Sequence, residues 1–108
     1  MSLELVLTGL GYNVNDALLE QVKRVLSACD FDEKEIHHII NLHEKIKHND
    51  GFVALSSSED KFKIKCHSHI PEMIDEFNEI VQSWANKHKI IVEKLVGKQT
   101  YYILRREG

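Results

Sequence analysis

The sequence predicts an α+β domain over residues 3–106, with a mainly antiparallel five-stranded sheet and helices on one of its faces. Three observations predict this class. Short segments near both ends and in the middle of the chain alternate in polarity, as half-buried strands do. Three longer segments carry apolar residues at helical spacing. Their order is strand, helix, helix, strand, strand, helix, strand, strand, which is typical of two packed layers.

The N-terminal part is predicted to be a strand followed by two helices. Leu3, Leu5 and Leu7 alternate with other residues, which indicates a strand that ends at Gly9. The first helix is capped by Asn13 or Asn15, and its apolar stripe is Leu18, Val22, Val25, Leu26 and Cys29. The second helix starts at Asp32, ends at Asn49-Asp50-Gly51, and has on one face Ile36, Ile39, Ile40, His43 and Ile46.

Two predicted hairpins flank the longest helix. Residues 52–56 and 61–66 form the first hairpin. The helix from about Pro71 to Lys87 has the longest apolar stripe, so we expect Phe77 and Trp84 to be mostly buried. Residues 89–96 and 99–105 form the second hairpin around a two-residue turn at Gly97-Lys98. This turn pairs Val92 with Ile103 and Ile91 with Leu104.

The element order resembles a ferredoxin-like unit with two additions. Strand one, the first helix, the middle hairpin, the long helix and strand four match that unit. The second helix and the fifth strand are extra. The resemblance implies the strand order 5-4-1-3-2. It implies no function, because this fold carries many unrelated activities.

The composition is that of one globular domain. Hydrophobic residues make up 43% and charged residues 29% of the chain, which suffices for a core without a disulfide or a metal. Cys29 and Cys66 form no C-x-x-C pair, so we expect free thiols in the cytoplasm, with a disulfide as the alternative. No signal peptide and no apolar run of about 18 residues is visible, so no membrane contact is expected. Residues 1–2 and 107–108 resemble vector-derived ends.

No set of residues in the sequence indicates catalysis. The chain lacks G-x-S-x-G, H-E-x-x-H and Walker motifs. Cys66 and His67 are neighbours on a strand, so their side chains point to opposite faces and form no dyad. We therefore expect a non-enzymatic protein that uses no cofactor.

Seven histidines make metal binding a hypothesis to weigh. On an extended strand His67 and His69 point the same way, which suits zinc or copper, and these two are the candidate ligands. The alternative for this pair is helix capping and surface exposure. On the second helix we expect His43 to be at least partly buried, and His37 and His48 to be exposed.

Basic residues suggest an anion-binding or nucleic-acid-binding face. The net charge of the chain is −3, but residues 87–106 hold six basic residues and one acidic residue. The candidate anion-binding residues are Lys61, Lys63, Lys65, Lys94 and Arg105. The alternative is that the lysines keep the hairpin soluble.

The element order also resembles that of an RNA-recognition domain. Such domains carry aromatic side chains on strands one and three. Here strand three offers lysines, and strand one offers only Glu4, Val6 and Thr8. The sequence therefore does not favour this function.

The last hairpin is predicted to be apolar on both faces. If Ile90, Val92, Val96, Tyr101 and Ile103 face the helices, an apolar patch faces outward, formed by Ile91, Leu95, Tyr102 and Leu104. We expect this patch to be the interface of a homo-oligomer, in the simplest case a dimer, or of another protein. The alternative is that further chain, or the twist of the edge, covers it.

The leading hypothesis is thus a self-associating interaction module. The second is a nucleic-acid or anion binder, and the third is a small metal-binding protein.

Overall fold

The structure is a computed structural model, and it describes residues 3–107. These residues form four α-helices, one 3₁₀ turn and four strands. The helices are α1 (Leu3–Gly9), α2 (Asp16–Cys29), α3 (Glu33–Ile46) and α4 (Pro71–His88), and the 3₁₀ turn is Lys47–Asn49. The strands are β1 (Gly51–Leu55), β2 (Phe62–Cys66), β3 (Ile90–Lys94) and β4 (Thr100–Arg106). The α+β class is as predicted.

The predicted first strand is wrong, because this segment is the helix α1. Val6 and Leu7 are 1% and 0% exposed, Leu10 is buried, and Leu5 is 39% exposed. This burial follows the helical period rather than the alternation of a strand. The helix packs against α2 and α3.

Because this segment is helical, the sheet has one strand fewer than predicted. It has four strands in the order β1-β2-β4-β3, all antiparallel, instead of five strands in the order 5-4-1-3-2. Because no N-terminal strand lies in the middle, β2 pairs directly with β4, and β3 becomes an edge strand. The ferredoxin-like topology is therefore not confirmed.

The predicted helix ends agree with the structure. The Asn15 side chain accepts from the Leu18 amide at 2.8 Å, and Asp32 accepts from the Lys34 amide at 2.9 Å, so each carboxamide or carboxylate satisfies a free helical N–H. The helix α4 covers nearly the predicted range and buries Phe77 (0% exposed) and Trp84 (8% exposed).

The second hairpin pairs as predicted near its turn and differs further along. Val92 lies opposite Ile103, but Ile91 lies opposite Arg105, because a bulge inserts Leu104. The turn is also wider than predicted: the Leu95 amide donates to the Thr100 carbonyl at 2.9 Å, which leaves four residues in the loop. Gly97 adopts a φ of +74°, which favours glycine.

The core lies between the helices and one face of the sheet. Phe77 on α4 contacts Tyr101 on β4, with ring centroids 6.1 Å apart. Cys29 and Cys66 are both buried free thiols, and burial raises the pKa of Cys29 to about 11. Past β4, the amide of Glu107 donates to the Lys89 carbonyl at 2.8 Å. The other expected vector-derived residues, at positions 1, 2 and 108, lie outside the described part.

Candidate functional site on the open face of the sheet

The candidate site is the face of the sheet that turns away from the helices, which we call the open face. Along β1 and β2, buried residues alternate with half-buried ones, so every second side chain points outward. Opposite residues of antiparallel strands share a face. One outward row is Phe52, Lys65 and Thr100. The next row is Ala54, Lys63, Tyr102 and Glu93.

Tyr102 lies in the middle of this open face, on the inner strand β4. The Lys61 ammonium is 5.2 Å from the centroid of its ring, a cation–π distance. Interaction of its phenol with the hydroxyls of Ser56 and then Ser58 lowers the pKa of Tyr102. The ring thus lies under the Lys61 ammonium and stays partly exposed.

Phe52 supplies a second aromatic ring near one edge of the face. The imidazole of His67 stacks on it, with centroids 5.0 Å apart and planes 30° apart. Phe52 on β1 is separated from Tyr102 on β4 by one strand and by two residues in register. Their Cα atoms are therefore about 12 Å apart, too far for the rings to cover one another.

Four of the five predicted anion-binding residues lie on the open face. Lys63 and Lys65 are half-buried on β2, Lys61 is half-buried just before this strand, and Arg105 is exposed opposite Ile91. Among residues 3–107 none of these four side chains forms an ion pair. The strands add one carboxylate to this face, Glu93, so the face is basic although the whole chain is acidic.

Lys94 is not part of this face. It lies opposite Tyr101, whose side chain is buried against the helices, and its ammonium donates to the Lys98 carbonyl at 3.0 Å. Lys94 lines a shallow groove along α4 together with Glu76 and Glu79.

The four residues of the predicted apolar patch lie beside the basic ones. Ile91, Leu95, Tyr102 and Leu104 are each half-buried. They lie along β3 and β4, next to Arg105 and Lys63. Val96 does not face the helices as expected: it is 99% exposed, because the wide turn carries it away from the core.

The two candidate metal ligands lie in the connection from β2 to α4, and both are exposed. His67 stacks on Phe52, and both histidines line a shallow cavity of about 490 Å³ with Lys65 and Lys98. Within residues 3–107 no group of three or more His, Cys, Asp or Glu side chains is arranged to hold a metal ion.

Phe52 is the functional candidate that the sequence argument missed. The signal was present, since Phe52 and Ala54 alternate with Val53 and Leu55. The aromatic residues of the face were expected on the segment Leu3–Thr8, which is helical in the structure. With β1 as the true first strand, the face has an aromatic residue on an edge strand and another on an inner strand.

Comparison with known proteins adds no relative. No protein-family model matches the chain, and neither a curated protein nor a solved structure does. None of the helices within residues 3–107 combines the length and the apolar character needed to cross a bilayer. The function is therefore inferred from the side chains of the open face.

Proposed function

We propose that this protein is a non-enzymatic module that binds single-stranded nucleic acid across the open face of its sheet. The observation that carries the proposal is the combination on one face of two separate aromatic rings, Phe52 and Tyr102, with a row of lysines that form no ion pair within residues 3–107. Aromatic rings stack on unpaired bases, and lysines attract the phosphates between them.

The charge of the face favours a nucleic acid over a second copy of the chain. A two-fold contact between two open faces would place Lys63, Lys65 and Arg105 of one copy near the same residues of the other, with Glu93 as the acidic partner from the strands. Like charges at close range destabilise such a contact. A polyanion meets the same residues with opposite charge.

The test is fluorescence anisotropy of a short labelled single strand, RNA and DNA separately, at low salt. Lys63→Glu should weaken binding at least about tenfold, because it removes one phosphate contact and adds a repulsive charge. Tyr102→Ala should weaken binding by roughly five- to one-hundredfold, the range expected for loss of one stacked base.

Lys23→Glu is the matched control, since it makes the same charge change on the exposed face of α2. It should change the affinity less than about threefold, through net charge alone. Equal losses for Lys63→Glu and Lys23→Glu would mean non-specific attraction and would overturn the proposal. Binding of an acidic peptide instead of either oligonucleotide would also overturn it.

Self-association through the C-terminal hairpin is the second candidate function. The observation that favours it is that β3 is an edge strand of the sheet, and that the half-buried patch Ile91, Leu95, Tyr102 and Leu104 runs along β3 and β4. An edge strand offers unpaired backbone groups to another chain. In a two-fold assembly the patch would meet its own copy.

Light scattering of the unmodified protein at about 100 µM, a concentration at which a micromolar dimer is nearly complete, is the direct test. If the patch is the interface, Leu104→Asp should give a folded monomer. A monomeric wild-type protein at that concentration would contradict self-association.

A further inference from the structure

A second candidate site lies in the helical layer, between α3 and α4. A cavity of about 350 Å³ opens there. Its apolar lining residues are Leu42 and Trp84. Its polar lining residues all carry hydrogen-bond donors and are His38, Asn41, Lys45, Ser83, Lys87 and His88. No carboxylate of the described chain lines this cavity.

Two stacked imidazoles join the helices at this cavity. The rings of His38 and His88 are 3.6 Å apart with planes 19° apart, and His88 also meets the edge of Trp84 at 6.0 Å. The Trp84 indole N–H donates to the His38 carbonyl at 2.9 Å. These contacts therefore join α3 to α4 at the cavity.

The side chains that lower the pKa values of the two imidazoles, besides burial, are all basic. Burial, then Lys34, His37 and Lys87, lower the pKa of His38. Burial, then His38, Lys87 and Lys34, lower the pKa of His88. Lys45 lines the same cavity.

Two polar features at this place have no partner in the structure. Among the described residues, Lys34, Lys45 and Lys87 form no ion pair. The buried Nε2 atom of His38 has no hydrogen-bond partner within the same residues. A concave group of donors and cations without a counter-charge is the arrangement that accepts an anion.

We propose that the cavity between α3 and α4 binds a small phosphate monoester. Lys45 and Lys87 provide the opposite charge, and Asn41 and Ser83 provide neutral donors. A phosphate group matches this set better than a carboxylate, because it carries up to two negative charges and three acceptor oxygens. Trp84 and Leu42 provide apolar contact for the organic part of the ester. This site is separate from the open face, and the inference does not depend on the proposed function.

Trp84 gives a direct readout, because it is the one tryptophan of the chain. We would titrate the protein with phenyl phosphate and with inorganic phosphate, at constant ionic strength set with NaCl, and follow tryptophan fluorescence. Both probes should give a saturable change below about 10 mM, with tighter binding of the ester. The pKa values of His38 and His88, followed by NMR, should rise when phenyl phosphate is bound, because the anion stabilises the imidazolium form.

Lys87→Met is the test variant and Lys63→Met the matched control on the open face. Lys87→Met should weaken phenyl phosphate binding about tenfold, and Lys63→Met less than about twofold. Lys63→Met should instead weaken oligonucleotide binding, so failure of either proposal is seen separately. Absence of a saturable change in the wild type with both probes, unshifted histidine pKa values, or equal losses in the two variants would overturn the inference.

Discussion

His43 shows how one side chain links a helix to the sheet. It is 7% exposed on α3, and its Nδ1 atom accepts a 2.9 Å hydrogen bond from the amide of Val53 on β1. A nitrogen that accepts a hydrogen bond carries no proton, so the ring is neutral with its proton on Nε2. Protonation of Nδ1 would break the bond to β1. The expectation that His43 is buried while His37 and His48 are exposed is confirmed.

The burial of His43 predicts that acid weakens the fold. Burial lowers the pKa of His43 below its ordinary value of 6.5, so the unfolded chain binds this proton more readily than the folded one. The stability that His43 provides is complete above about pH 6.5 and is lost as the pH falls toward its folded pKa. The urea midpoint should therefore decrease from pH 7 to pH 5.

His43→Asn separates this effect from other titrating groups. The side-chain oxygen of asparagine can accept the hydrogen bond from the Val53 amide, but the asparagine side chain does not titrate. The loss of stability between pH 7 and pH 5 should be smaller in the variant than in the wild type. The difference between the two proteins isolates His43 from Glu35, whose pKa burial raises. Equal slopes would show that His43 does not titrate in this range.

At the scale of elements, the sequence predicts correctly those helices and strands that have a strong local periodicity of apolar residues. The helices α2 and α3 have long apolar stripes and capping side chains, and α4 has a long stripe that begins at Pro71. The strands of the first hairpin alternate clearly. The segment Leu3–Gly9 has apolar residues at 3, 5, 6 and 7, which fit either period over so short a length. Only packing against α2 and α3 decides it. The bulge at Leu104 has no local signal either.

The central helix gives the largest expected energetic effect. Phe77 is fully buried on α4 and contacts Tyr101. Phe77→Ala should reduce the free energy of unfolding by roughly 3–5 kcal/mol, because a large ring leaves a cavity. Glu79→Ala, on the exposed side of the same helix, should change it by less than about 0.5 kcal/mol. A loss below about 1 kcal/mol for Phe77→Ala in a urea titration would make α4 a peripheral element.

Close packing of α1 against α3 makes Gly9 sensitive to added volume. A Cβ atom at Gly9 would lie 2.9 Å from both Cδ1 and Cγ1 of Ile40. Gly9→Ala should therefore cost about 1–3 kcal/mol by overpacking. Adding Ile40→Val removes one of the two crowded atoms and should restore part of the loss. Stabilisation by Gly9→Ala alone would mean that the segment is not packed on α3 as a helix.

At the scale of the whole molecule, the two layers of the fold have different surfaces. The sheet turns a basic face with two aromatic rings outward, while most acidic residues lie on helices and loops. The face could be located only after the sheet order was known, because the pairing of β2 with β4 brings Lys63 next to Tyr102. Lys63 and Tyr102 are 39 positions apart in the chain, so no local sequence pattern indicates that they are neighbours.

This arrangement predicts that salt acts in opposite directions on the two candidate functions. Nucleic-acid binding releases counterions, so its affinity should fall steeply with salt, about 0.7 in log affinity per log salt for each phosphate contacted on a single strand. Contact between two basic faces is opposed by repulsion over about 10 Å at 0.1 M salt, so added salt should strengthen it.

The variant Lys63→Glu separates the two candidate functions further. It should weaken oligonucleotide binding and, by removing repulsion, leave any dimer unchanged or strengthened. Anisotropy and sedimentation measured over the same salt series would check both signs. Oligonucleotide affinity that does not depend on salt would contradict a role for the lysine row, and a dimer that dissociates as salt rises would place its interface away from the open face.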